Sequence, residues 1–266
     1  MTRVLPRQAP YQGAFSFWAI FSLLFFTVSP VIADSCGKPE IQETARVVAV
    51  YDGDTVKLQD GRKLRLLGIN TPEVAKKHKP GQAYAEAARR RLTELITRSP
   101  IVGLVYGPDR EDRYGRQLVY IYNKDNQDIQ RILLREGLAA AIAVPPNVAH
   151  AQCYLADERS ARKARLGMWS GIDYQPAAVE NLDTGASGFI FLTGTIARIG
   201  KSRKSVWLNL NERVALRVAR QDMAYFTEYK PEALQGRKIV ARGWLSRYQD
   251  QQVMRLRHPS ALEFVD

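Results

Sequence analysis

Between positions 52 and 73 the chain places Asp52 and Asp54 around Gly53, Arg65 inside an apolar run, and Asn70, Thr71 and Glu73 just beyond a glycine. Arg116 closes a second charged stretch, EDRYGR. Oxygen donors of this kind suit a hard divalent cation such as Ca2+ or Mg2+. The three histidines (78, 150 and 258) and two cysteines (36 and 153) form no zinc-ligand cluster. Arginine is permanently charged and presents a planar fork of donors, which suits a phosphate gathering negative charge in a transition state. A carboxylate, a cation site and two arginines together describe hydrolysis of a phosphodiester. Taken singly, each residue is more often a turn aspartate or half of a surface salt bridge, so the spacing has to decide.

Such side chains need a frame of short strands and tight turns. Residues 45–70 alternate apolar and polar positions with turn signals at Asp52-Gly53 and Asp60-Gly61, which predicts three antiparallel strands. Helical spacing predicts helices over 81–96, 126–140 and 147–169, the last opening on an Asn147 cap. Strands are expected at 101–107 and 116–123, around a charged turn. Residues 170–188 show no periodicity and many small or turn-forming residues, the pattern of a linker. Five β-like runs follow over 189–266, with a helical patch at 221–235 between the third and fourth. That order fits a smaller OB-like β-barrel, so the class is mainly β with α (α+β).

The motifs DGDTV (52–56), LRLLGINTPE (64–73) and EDRYGRQLVYIY (111–122), in this order and followed by helical segments, closely resemble the staphylococcal nuclease (thermonuclease) family. The resemblance spans residues 45–169, and GMWS (167–170) closes it. It implies an OB-fold barrel with three helices over 34–169 and a metal-dependent nuclease that uses Ca2+, another divalent cation being the alternative. Asp54 resembles the family's calcium-ligating aspartate, and Thr71 the residue whose backbone carbonyl joins it. Asn70 stands where the best-known member has a second ligating aspartate; it keeps an oxygen and loses a charge, which weakens cation binding. Arg65 resembles the arginine that clamps the phosphate, and Arg116 the second transition-state arginine, placed near the leaving oxygen. Glu73 resembles the carboxylate that orients or deprotonates the attacking water. Arg113 and Tyr114 lie in the loop that would contact the substrate phosphate. The family's nucleotide-stacking tyrosine pair is missing where this chain reads AAAIAVPPN (139–147). The alternative on the same fold is a catalytically weak or inactive nucleic-acid-binding protein; the presence of Arg65, Glu73 and Arg116 favours the enzyme.

The net charge of +12 points to a polyanion, nucleic acid or an anionic membrane, and the resemblance makes it DNA and/or RNA. Residues 187–266 carry fourteen basic and seven acidic residues, a larger excess than the region before them. In that part the basic turn IGKSRKS puts forward Lys201, Arg203 and Lys204 as phosphate contacts, while Trp207 and Trp244 are expected in the barrel core. Removing everything after Gly171 is then expected to weaken binding and leave the chemistry intact. Residues 1–33 read as an export signal, with Arg3 and Arg7 before an apolar run at 14–28, a Ser29-Pro30 break and a cleavage site after Ala33. An uncleaved membrane anchor is the alternative; after cleavage no membrane contact and no protein partner are implied. In an oxidising compartment Cys36 and Cys153 are expected to pair.

Overall fold

The computed structural model describes residues 1–2, 36–37 and 39–265, so the expected signal segment and its cleavage site lie outside the described residues. Residues 34–266 form one compact unit. Among the described residues, no helix is long and apolar enough to cross a membrane.

The first barrel follows from the alternation at its start. β1 (Glu43–Val50), β2 (Thr55–Leu58) and β3 (Lys63–Leu66) form an antiparallel meander that turns at the two Asp-Gly signals. Val47, Val56, Leu58, Leu64 and Leu66 point into one core. After β4 (Ile69–Asn70) and α1 (Ala85–Arg98), β5 (Ile101–Glu111) and β6 (Gln117–Tyr122) complete a closed barrel in the order β1-β2-β3-β6-β5. The pair β3 and β6 is parallel. β5 runs on through part of the expected charged turn, with a register irregularity between Tyr106 and Glu111. α2 (Ile129–Arg135), β7 (Ala140–Ala141) and α3 (Ala151–Lys163) follow, and β4 pairs with β7. Leu92, Leu133, Leu134 and Tyr154 of the helices join the barrel core.

The helix boundaries differ from expectation, α1 lying a few residues later and α3 ending at Lys163, and two of the differences have evident local reasons. α2 stops early because Gly137 turns the chain at a φ of 68°. α3 begins after His150, since Asn147 does not cap it. Its side chain instead accepts from the Asp109 N–H at 3.0 Å and donates to the Asp109 carbonyl at 3.0 Å, tying the 144–147 loop to β5.

The second barrel uses β9 (Gly188–Thr195), β10 (Arg198–Lys201), β11 (Ser205–Asn209), β12 (Val214–Ala219), β13 (Lys238–Tyr248) and β14 (Gln251–Leu256), preceded by β8 (Ala177–Ala178) and followed by β15 (Leu262–Phe264). The sheet runs β10-β11-β12-β14-β13-β9-β8. β9 and β10 are one strand that changes partner: the Ile196 N–H bonds Arg237 on the β13 side and the Ala197 N–H bonds Asn209 on the β11 side. With β9 and β10 counted together, the order and the parallel β12/β14 pair repeat those of the first barrel. The expected helical patch is two 3-10 turns, Arg220–Tyr225 and Pro231–Ala233. The expected linker is wound onto this barrel: β8 pairs with β9, and Val179 and Leu182 are buried in its core.

The barrels meet across a mixed joint. Met168 and Trp169 pack with Phe191, the Trp169 and Phe191 rings 5.5 Å apart edge to face. Beside them the Arg242 guanidinium, its side chain 3% exposed, donates to both Glu158 carboxylate oxygens at 2.6 and 2.7 Å. It also pairs with Glu263, which Arg162 of α3 holds at 2.7 Å. Glu158 in turn accepts the Ala141 N–H at 2.6 Å. Cys36 and Cys153 are joined, so the segment before β1 is fastened to α3.

Candidate active site

The turn between β1 and β2 has little room. A Cβ on Gly53 would lie 2.7 Å from the Thr71 methyl and 2.8 Å from Ala88, so only glycine lets this turn sit against β4 and α1. Flanking it, Asp54 is 6% exposed and faces Thr71. The Thr71 N–H and hydroxyl both donate to Asp54 Oδ2, at 2.8 and 3.0 Å, and the Thr55 hydroxyl donates to Oδ1 at 3.2 Å. Thr71 therefore fixes Asp54 through its own N–H and hydroxyl. Asp52 accepts the Asp54 N–H at 3.0 Å. Its carboxyl is pushed up to about 6 by burial first and then by the charge of Asp54.

Arg65 leaves the outer side of β3 between the inward Leu64 and Leu66. Its guanidinium donates to the Leu66 carbonyl and, at 2.9 Å, to the Ile69 carbonyl, and lies 3.2 Å from Asp54. Three fixed acceptors thus hold the fork in one orientation before any ligand arrives. Arg116 is held differently. Asp112, four residues earlier, accepts from its Nε at 2.8 Å and from its Nη2 at 2.7 Å. The other Asp112 oxygen takes the N–H groups of Tyr114 and Arg116. Burial alone would raise Asp112, but these donors outweigh it and hold its carboxyl below the usual range. Arg113 donates to the Tyr114 hydroxyl at 2.6 Å, and both Arg113 and Arg116 lie over the Tyr114 ring, which is 68% exposed.

Glu73 has its backbone tied to Gln82, its N–H to Oε1 at 2.7 Å and its carbonyl to the N–H at 2.9 Å. Its carboxylate meets Lys76 at 2.7 Å, and both side chains remain open to solvent. A cleft of about 680 Å³ joins these groups: Asp52, Asp54, Arg65, Asn70, Glu73, Arg113, Tyr114 and Arg116 line it, with Lys76 and Asp112 beside them. Thr71 lies behind Asp54. Lys201, Arg203 and Lys204 are exposed on the β10–β11 turn and do not line the cleft. Instead the second barrel reaches it through Trp244 and Arg257. Trp244 is 47% exposed with its ring 5.1 Å from that of Phe189, so it is no core residue; its neighbour Leu245 takes the inward position.

Residues 63–171 match the family model for staphylococcal nuclease homologues. The chain is 31% identical over 158 residues to a thermonuclease of Staphylococcus hyicus, covering 57% of this chain and 90% of that one. It is 35% identical over 147 residues to endonuclease YncB of Bacillus subtilis (strain 168), covering 52% and 69%. The chain belongs to the staphylococcal nuclease family. A thermonuclease of Staphylococcus intermedius agrees, 35% identical over 130 residues, covering 48% and 76%. The staphylococcal nuclease match ends at residue 171, ahead of the second barrel.

Asp52 was read from the sequence only as one of the paired turn acids, and Asp112, Lys76, Trp244 and Arg257 were not singled out as site residues. Asp112 had a visible signal, an acid four residues before Arg116 in a turn. Trp244 and Arg257 had none, because they come from the far barrel.

Proposed function

We propose that the chain is an exported, divalent-cation-dependent nuclease that hydrolyses phosphodiester bonds of DNA, RNA or both in the cleft on the outer face of its first barrel, with residues 189–266 as an accessory OB-like domain. Family membership makes it a phosphodiester hydrolase; the ion, the compartment and the residue roles are this reading's own. One observation carries it: two arginines held by separate acceptors share a cleft with Asp54 and the accessible carboxylate of Glu73.

The donor set fits a hard cation. Asp54 keeps acceptor capacity on Oδ1, and Asp52 and Asn70 line the same wall. Asp54, Asn70 and the Thr71 carbonyl would hold the ion, Ca2+ by family resemblance. Bound there, it would supply positive charge to a phosphoryl oxygen.

Glu73 orients a water and accepts its proton as the water oxygen bonds to phosphorus. Lys76 is an exposed partner of Glu73, so replacing it by water costs little. The bond to the leaving oxygen breaks in line, and Arg65 and Arg116 donate N–H groups to the charge that gathers on the phosphoryl group. By resemblance the leaving group is the 5′ oxygen. Export is supported by the cationic and apolar N-terminal pattern and by the disulfide.

The purified chain incubated with single- and double-stranded DNA and RNA, in Ca2+, Mg2+, Mn2+ or EDTA, tests this. Cation-dependent cleavage is expected. Equal cleavage in EDTA would remove the cation from the reading, and binding without cleavage under any condition would favour the non-catalytic alternative.

A further inference from the structure

The second barrel does more than wall off the cleft. In β12, Leu216 and Val218 face the core, so Arg217 faces outward; the same alternation places Trp207 of β11, Arg255 of β14 and Trp244 of β13 on the outer surface. The ladders align them. Trp207 pairs with Arg217, Arg217 pairs with Arg255, and Trp244 lies one step past the pairing of Leu245 with Met254. The row crosses three strand spacings, about 14 Å. It begins where Arg217 lies over the Trp207 ring at 5.6 Å and Tyr248, 57% exposed, stands 6.3 Å from that ring. It ends at Trp244 in the cleft.

The charges on this row are fixed in place. Asp222, buried beside it, accepts from Arg255 at 2.7 Å and lies 3.6 Å from Arg257, which also donates to the Pro145 carbonyl at 2.8 Å. One carboxylate orients two guanidiniums and neutralises only one. Flat rings at both ends of an arginine pair, with Trp244 and Tyr248 exposed and Trp207 partly so, are a platform for unpaired bases and their phosphates. A duplex offers phosphates to such a face but keeps its base faces stacked internally.

We propose that this row is a binding track for single-stranded nucleic acid, continuous with the catalytic cleft and feeding it. The proposal rests on the nuclease reading for its direction toward the cleft, but the track binds whether or not cleavage follows. It also moves the second barrel's substrate contacts from the Lys201 turn to the outer sheet face.

The test uses the full chain in EDTA, where cleavage is suppressed, with fluorescein-labelled oligothymidylate and a duplex of matched length as probes. The wild type should bind the single strand more tightly than the duplex. Trp244→Ala and Trp207→Ala should each weaken single-strand binding about tenfold and leave duplex binding nearly unchanged, while Trp244→Phe keeps a stacking face and most of the affinity. Thermal unfolding of each variant checks that it folds. Lys201→Ala/Lys204→Ala should change the single-strand affinity much less than either tryptophan change. Equal affinity of wild type, Trp244→Ala and Trp207→Ala for the single strand would overturn the track, even if the chain cleaves DNA. Single-strand binding that depends on both tryptophans, in a chain that cleaves nothing with any cation, would support the track and sink the nuclease reading.

Discussion

In both barrels the third and fifth strands lie parallel and send arginines to the outer face: Arg65 from β3, with Arg116 at the start of β6, and Arg217 and Arg255 from β12 and β14. Their surroundings differ. Around the first pair stand Asp52, Asp54, Glu73 and Asp112. Around the second stand Trp207, Trp244 and one buried carboxylate, Asp222. Acids beside arginines can hold a cation and take a proton from water, whereas rings beside arginines can only bind. On the proposed reading the same strand order supports a chemical face and an adhesive face, and the side chains around the arginines decide which.

The two faces work as one cleft only if the barrels stay locked, so the largest effect is expected at the joint. Arg242→Ala leaves the buried Glu158 carboxylate with only Arg162 at 3.6 Å as a charged partner and should cost about 3–5 kcal/mol in urea unfolding. Wild-type stability in that variant would show that the joint is not what couples the barrels. For the same reason, truncation after Gly171 should destabilise the first barrel as well as remove binding surface, contrary to the expectation from sequence.

The chemical face should fail next. Arg65→Ala, Arg116→Ala and Glu73→Ala should each lower the cleavage rate by about 10²–10³ in a folded protein. Cleavage by either arginine variant at the wild-type rate would remove that residue from the site. Reducing the bond between Cys36 and Cys153 should lower stability by roughly 2–4 kcal/mol, read as a shift in the urea midpoint; no shift would mean the tether does not constrain the unfolded chain.

How much of this could be read from residue order depends on distance along the chain. That the residues at 52–73 share a cleft was legible because turn, strand and acid all fall within one local stretch. Asn147 was misread because a helix cap and a loop clamp use the same side chain, and only the position of Asp109 distinguishes them. The patch at 221–235 has helical composition, yet Lys230-Pro231 interrupts it and tight turns result. Trp244 looked like core because β13 carries apolar residues on both sides, and which of them faces inward is set by pairing with β14 and β9.

Smaller effects should refine the picture. Glu263 is raised by burial, but Arg242 and Arg162 outweigh this and hold its carboxyl below the ordinary carboxylate range. Its stabilisation of the joint is therefore complete above the ordinary glutamate range and lost as pH falls through the lowered value. Stability measured against pH should show that acid loss in the wild type and a weaker one in Glu263→Gln. Asn70→Asp should tighten Ca2+ a few-fold (about 1 kcal/mol or less) by adding a charged oxygen beside Asp54. A calcium titration of activity checks it, and unchanged affinity would mean residue 70 does not face the ion.

Arg242 and Trp244 sit two positions apart on β13 and so share a parity. An insertion or deletion of one residue ahead of them would turn both inward together, losing the lock and the cleft wall in a single event. A two-residue change would keep their facing but slide them about 7 Å along the strand, out of reach of Glu158. Length variation in this strand is therefore all-or-nothing, whereas the Gln249-Asp250 turn beyond it is free to vary.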